Sequence, residues 1–130
     1  MAASLVYSGH YQEGLEAANR CTRLDPRNPR SYVNMQLTAI AQYFLREYVD
    51  AAATAEQVAH SYPDFPTIHI WLAASLAQAG RPLDAQKVLR KAAATAPKLF
   101  DVYVRGQPPW LRPQDHDQLL DGLRKAGWQG

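Results

Sequence analysis

The residues that could do chemistry in this chain are few, and their spacing does not bring them together. The histidines are His10, His60, His69 and His116. None stands three or four residues from another His, Cys or paired carboxylate in the arrangement a zinc ion needs. Asp115-His116-Asp117 is the one compact cluster, yet successive residues on a helix point in different directions and cannot share a site. Asp115 reads instead as first-turn charge complementing a helix dipole after Pro113. Neither Gly-x-Ser-x-Gly nor Gly-x-x-x-x-Gly-Lys occurs. The lone Cys21 reads as a buried packing residue, because Arg20 and Arg23 would point away from it on a helix and leave it without an electropositive setting. No catalytic, cofactor-binding or metal-binding residue is assigned, no cofactor is expected, and the chain is not expected to be an enzyme. A small helical enzyme or ligand-binding domain would instead need a closed pocket with convergent polar groups.

Bulk properties narrow the partner class. The 130 residues are 47% apolar, which fits one domain with a modest core. Net charge is +2, spread along the chain without a long Lys/Arg run, so nucleic acid is not expected. One cysteine excludes an internal disulfide. No window approaches the roughly 18 apolar residues of a membrane span, and MAASLVYSGH lacks the basic start and long apolar core of a signal peptide. Cytoplasmic location is the expectation, with no membrane contact within this chain; any export signal would belong to a longer parent.

The elements that would have to position a functional surface are helices, since alanine and leucine abound and breaks fall at intervals. Three segments repeat: GHYQEGLEAANRCTRLDP, REYVDAAATAEQVAHSYP and GRPLDAQKVLRKAAATAP. Each ends on proline, and those prolines, Pro26, Pro63 and Pro97, stand 37 and 34 residues apart. An acid followed by a small residue recurs at Glu13-Gly14, Asp50-Ala51 and Asp84-Ala85, and a second slim residue at Cys21, Val58 and Ala92. Segments opening at Pro29 and Pro66 precede the second and third copies, where proline suits a first helical turn. The second unit is three residues longer, an excess placed near Gln42 to Arg46, and its turn lacks the glycine found at Gly9 and Gly80.

A helix-turn-helix period of this length, with a Gly-x-Tyr-x-[Glu/Asp]-Ala core and a closing Asp-Pro, resembles the tetratricopeptide repeat. Gly9, Tyr11, Glu13, Gly14, Cys21 and Pro26 follow the pattern in the first unit, Tyr48, Asp50, Ala51, Val58 and Pro63 in the second, and Leu72, Gly80, Asp84, Ala85, Ala92 and Pro97 in the third. The resemblance implies an all-α fold, an α-α superhelix or tetratricopeptide-like solenoid of about three helix-turn-helix units plus a C-terminal capping helix. The units divide as 1–29 (partial), 30–63 and 64–97, with a short helix, a proline-rich turn and the capping helix in 98–130. The tail, through Arg112, Pro113, Asp115, Leu120, Gly122, Leu123, Arg124, Lys125, Ala126 and Gly127, resembles the closing segment of bacterial tetratricopeptide regions attached to class III adenylate or guanylate cyclases or to winged-helix regulators. That likeness implies a bacterial signalling protein with a preceding effector domain.

The slim residues have a packing rationale. Helix axes in a tight hairpin approach to about 8–10 Å, so Gly14 and Cys21, Ala51 and Val58, and Ala85 and Ala92, each seven apart on one face, should lie at the crossings. Leu119, Leu120, Leu123 and Ala126 form a one-sided stripe on the last helix, which would cover the last repeat or, alternatively, dock a partner; Gly127 should stop it. In this repeat class the first helix of each unit lines a concave groove. The resemblance places Arg30, Val33, Asn34, Leu37 and Ile40 there from the second unit, and Thr67, Ile70, Trp71, Ala74 and Gln78 from the third. Trp71 is either the principal partner contact or an inter-repeat packing residue. A carboxylate clamp is not expected, because no cation matches Asn34 in the third unit. The function implied is a non-catalytic interaction module binding a protein or peptide segment in the groove. The alternative is homodimerisation through the truncated first unit.

Overall fold

The computed structural model describes residues 2–24, 31–62, 67–104 and 111–128. Among them the chain forms α1 (Ala2–Tyr7), α2 (Tyr11–Leu24), α3 (Ser31–Phe44), α4 (Tyr48–Ser61), α5 (Thr67–Gln78), α6 (Pro82–Thr95), α7 (Pro97–Val104) and α8 (Pro113–Lys125), and no strand. Pairs α1–α2, α3–α4 and α5–α6 pack as hairpins, and each second helix also packs on the first helix of the next unit. This is an all-α repeat solenoid, the architecture the resemblance implies. Among the described residues no helix is long and apolar enough to cross a membrane.

One turn geometry recurs in all three hairpins. Two residues past the ends of α1, α3 and α5, Gly9, Arg46 and Gly80 take φ of 94°, 65° and 87°. In each, the next N–H reaches back five residues: His10 to Leu5 (2.8 Å), Glu47 to Gln42 (2.9 Å) and Arg81 to Leu76 (2.9 Å). A left-handed residue with this bond pattern is a Schellman stop, which satisfies carbonyls that the helix end leaves orphaned. The second unit therefore keeps the turn without the glycine, holding an arginine in a region that costs L-residues energy. Two of its three extra residues enter as helix: α3 has 14 residues and α5 has 12.

The slim stripe behaves as expected at its first position. Gly14 is buried, and Ala51 and Ala85 are fully enclosed. At the second position Val58 and Ala92 are buried too. Cys21 is exposed, which corrects the packing role expected of it. The cause is the length of the facing helix. With six residues α1 extends about 9 Å, whereas Cys21 stands about 15 Å along α2, beyond the end of its partner.

The core centres on α5. Ile68 through Ala77 are buried without interruption, as befits a helix enclosed by α4, α6, α3 and α8. Trp71 is its largest member. Its ring meets Phe44, Tyr43 and Tyr103 edge-on at centroid distances of 5.5, 5.9 and 6.1 Å.

The short α7 begins at Pro97 and packs on α6. The last helix does cover the last unit, through α5, but not at the end of the stack. It turns back over the preceding units. Gly127, at φ 106°, closes it with the Trp128 N–H bonded to the Leu123 carbonyl at 3.0 Å, the stop expected there.

Candidate functional site

The first helices α1, α3 and α5 follow one another in contact and form one face of the stack. Across their C-terminal ends lies α8, running from the first unit to the third. Leu119 and Leu123 are fully enclosed beneath it, each contributing about 1.5–3 kcal/mol. Around this apolar strip every unit supplies a polar contact.

In the first unit the Tyr11 hydroxyl donates to Asp115 Oδ1 and accepts from Arg112 Nη2 at 2.7 Å. Arg112 Nε also donates to Asp115 Oδ2 at 3.1 Å, and the guanidinium lies 5.7 Å from the Tyr11 ring centroid. Gly9 makes room for this: a Cβ there would meet the Arg112 guanidinium. Asp115 is buried. The expected dipole role thus understates it, because a buried carboxylate needs direct partners.

In the second unit the Tyr43 hydroxyl donates to the Gln118 carbonyl at 2.5 Å. The Gln118 side chain donates to the Tyr43 carbonyl at 2.9 Å and to the Tyr48 hydroxyl at 3.1 Å. In the third unit Gln78 donates to Asp121 at 3.0 Å and accepts from Lys125 at 2.8 Å. These last groups are half-exposed, so their ion pair adds little. His116 bonds the Tyr103 carbonyl through Nε2 at 2.7 Å, which ties α8 to α7.

The electrostatics keep the tyrosines protonated. Burial, then the hydrogen bond to Asp115, pushes Tyr11 up to about 12, and burial carries Tyr43 further up. Both hydroxyls are therefore donors at neutral pH. The hydrogen bond from Gln78, then that from Lys125, holds Asp121 below the usual carboxylate range.

The residues expected to line the groove fall into distinct groups. Ala74 and Gln78 lie against α8. Leu37, Ile40, Ile70 and Trp71 are buried in packing between helices. Trp71 in particular offers no surface to a partner in this conformation, because Tyr43, Phe44 and Tyr103 surround its ring. Val33 is 41% exposed, and Asn34 and Thr67 are half-buried. Arg30 lies outside the described residues. The residues that hold α8 are Tyr11, Tyr43 and Tyr48; Tyr11 and Tyr48 were expected only as positions of the repeat pattern, and Tyr43 was assigned no role. Their signal was available: Tyr11 and Tyr48 hold the same repeat position, two residues past the left-handed turn.

Among the described residues no group of His, Cys, Asp and Glu could hold a metal ion. A tetratricopeptide repeat family model matches residues 45–105, from the turn after α3 through α7. No curated protein and no solved structure matches the chain.

Proposed function

We propose that this chain is a non-catalytic interaction module whose inner face, built from α3 and α5 and edged by the first residues of α2 and α4, binds an α-helix. Repeats of the tetratricopeptide class mediate protein–protein contacts and use the extended concave surface that stacking creates. The observation that carries the reading is the seating of α8. A face that accepts one amphipathic helix through apolar strip and polar rim has the chemistry of a helix-in-groove site. Ala74 and Gln78 provide the floor and rim in the third unit; Val33, Asn34 and Thr67 continue the face on α3 and α5; Arg30 belongs to the same expected row. A setting within a larger bacterial signalling protein draws support only from the likeness of the tail's sequence.

Panning a helical-peptide display library against the intact chain tests the reading. Selected peptides should lose binding to Gln78→Ala and Tyr43→Phe chains and keep it on a Lys87→Ala chain, altered on exposed α6. Selection of peptides indifferent to Gln78 and Tyr43 would overturn it. Self-association has one observation in its favour, the exposure of Cys21 and of Leu24, 79% exposed, at the end of α2. Light scattering across a concentration series would report it as a growing dimer fraction.

A further inference from the structure

We infer that α8 is the resident ligand of this face, and that the partner which opens the module is a helix presenting Asp, Gln and Gly at positions i, i+3 and i+7, as Asp115, Gln118 and Gly122 do. The inference rests on the reading of the inner face as a helix-binding surface and names what that surface selects.

A helix that merely sealed an apolar face would need only Leu119 and Leu123. Instead α8 carries three further residues, each matched to the stack. Asp115 is buried against Tyr11 of the first unit. Gln118 is held through both its side chain and its carbonyl by Tyr43 and Tyr48 of the second. Gly122 lies on Ala74 of the third, where a Cβ would collide with the Tyr43 hydroxyl and stand 3.0 Å from the Ala74 methyl. Glycine weakens a helix interior, so its place in α8 is explained by this close approach and not by helix formation. The three positions lie on one helical stripe. Discrimination follows from burial: a ligand lacking the carboxylate leaves the Tyr11 hydroxyl without its acceptor, and one with a side chain at the glycine seats only by pushing the Tyr43 hydroxyl aside.

Because α8 is tethered to the face it covers, a partner in trans competes with an intramolecular occupant at high effective concentration. Apparent affinity then scales with the fraction of molecules whose face is free. Weakening the chain's own α8 should therefore strengthen binding of the same helix supplied from outside.

The test uses the intact chain and a fluorescein-labelled peptide of residues 111–128 read by anisotropy. The Gly122→Ala chain should bind the peptide about fivefold more tightly than the unaltered chain. Peptides carrying Gly122→Ala or Asp115→Ala should bind that chain more weakly than the unaltered peptide. Circular dichroism and a cooperative melt check that the variant folds; an Asp115→Asn chain, weakened at the other end of α8, replaces it if it does not. Equal affinity of both chains, or a peptide indifferent to Gly122→Ala, would overturn the inference. So would light scattering showing the unaltered chain to be a dimer that loses its dimeric state in Gly122→Ala, since the occupant would then be a second copy. Library peptides that need Gln78 and Tyr43 but lack the Asp–Gln–Gly stripe would overturn this inference and leave the helix-binding reading standing. If no helix binds even the weakened chain, both fall.

Discussion

Tyr43 and Gly122 meet across the seam between α3 and α8 with no room for a side chain between them. The Tyr43 hydroxyl reaches the Gln118 carbonyl one helical turn before Gly122, and Ala74 closes the other side. Adding a methyl group at Gly122 should act in two directions. Overpacking costs about 1–3 kcal/mol, while alanine in place of glycine returns about 1 kcal/mol of helix propensity. The expected net for Gly122→Ala is a loss of about 1 kcal/mol. Amide exchange in α8 should report it as faster opening there, with α4 and α5 unchanged.

Arg46 supplies the opposite case. Its φ of 65° repeats the geometry of Gly9 and Gly80 with a residue that resists it. Left-handed backbone costs an L-residue about 1–2 kcal/mol, and glycine's greater freedom in the unfolded chain returns about 0.4–1 kcal/mol of that. Arg46→Gly should stabilise the protein by about 0.5 kcal/mol, seen as a higher urea midpoint at unchanged slope.

These positions show how far the sequence could be read. The hairpins were legible because prolines, slim residues and turn glycines recur in register, and local stops and packing obey that register directly. The turn at Arg46 was legible only through its repeat-mates, since its own side chain argues against it. The seat of α8 was not legible. Its stripe announces a buried face but says nothing of which surface receives it, and Asp115, Gln118 and Gly122 acquire meaning only once Tyr11, Tyr43 and Ala74 are in place. Trp71 was ambiguous for a related reason: on a helix buried all round, groove and core positions carry the same residue types.

The tyrosines predict an alkaline limit. Tyr11 ionises near 10 when unfolded and near 12 in the native protein, because burial and Asp115 oppose the phenolate. The unfolded chain thus loses its proton first. Stability should hold below about pH 10, then fall as pH rises towards 12. Tyr7 and Tyr43, raised by burial, act in the same direction. Tyr11→Phe keeps the ring packed on Phe44 and should lose less stability over this interval than the unaltered protein, measured by urea unfolding at a series of pH values.

Exposure of Cys21 separates it from its repeat-mate Val58. A thiol reagent should label Cys21 fully in the native protein, at a rate little changed by denaturant. Cys21→Ser should shift stability by less than about 0.5 kcal/mol. Val58→Ala, which removes two buried methyl groups at a helix crossing, should cost about 2 kcal/mol.

Trp71 should behave as a stability residue. Truncation to alanine empties the space among Tyr43, Phe44 and Tyr103 and should cost about 3–5 kcal/mol, lowering the urea midpoint and loosening α3, α5 and α7 together. Trp71→Phe keeps an aromatic ring for edge-on contact with the same three neighbours. It also discards an indole N–H that is buried without a hydrogen-bond partner among the described residues, a donor whose desolvation burdens the native state. The phenylalanine variant should therefore lose less than half of what the alanine variant loses. If Trp71 were instead a partner contact, both variants would unfold like the unaltered chain and differ from it only in capture of a helical ligand.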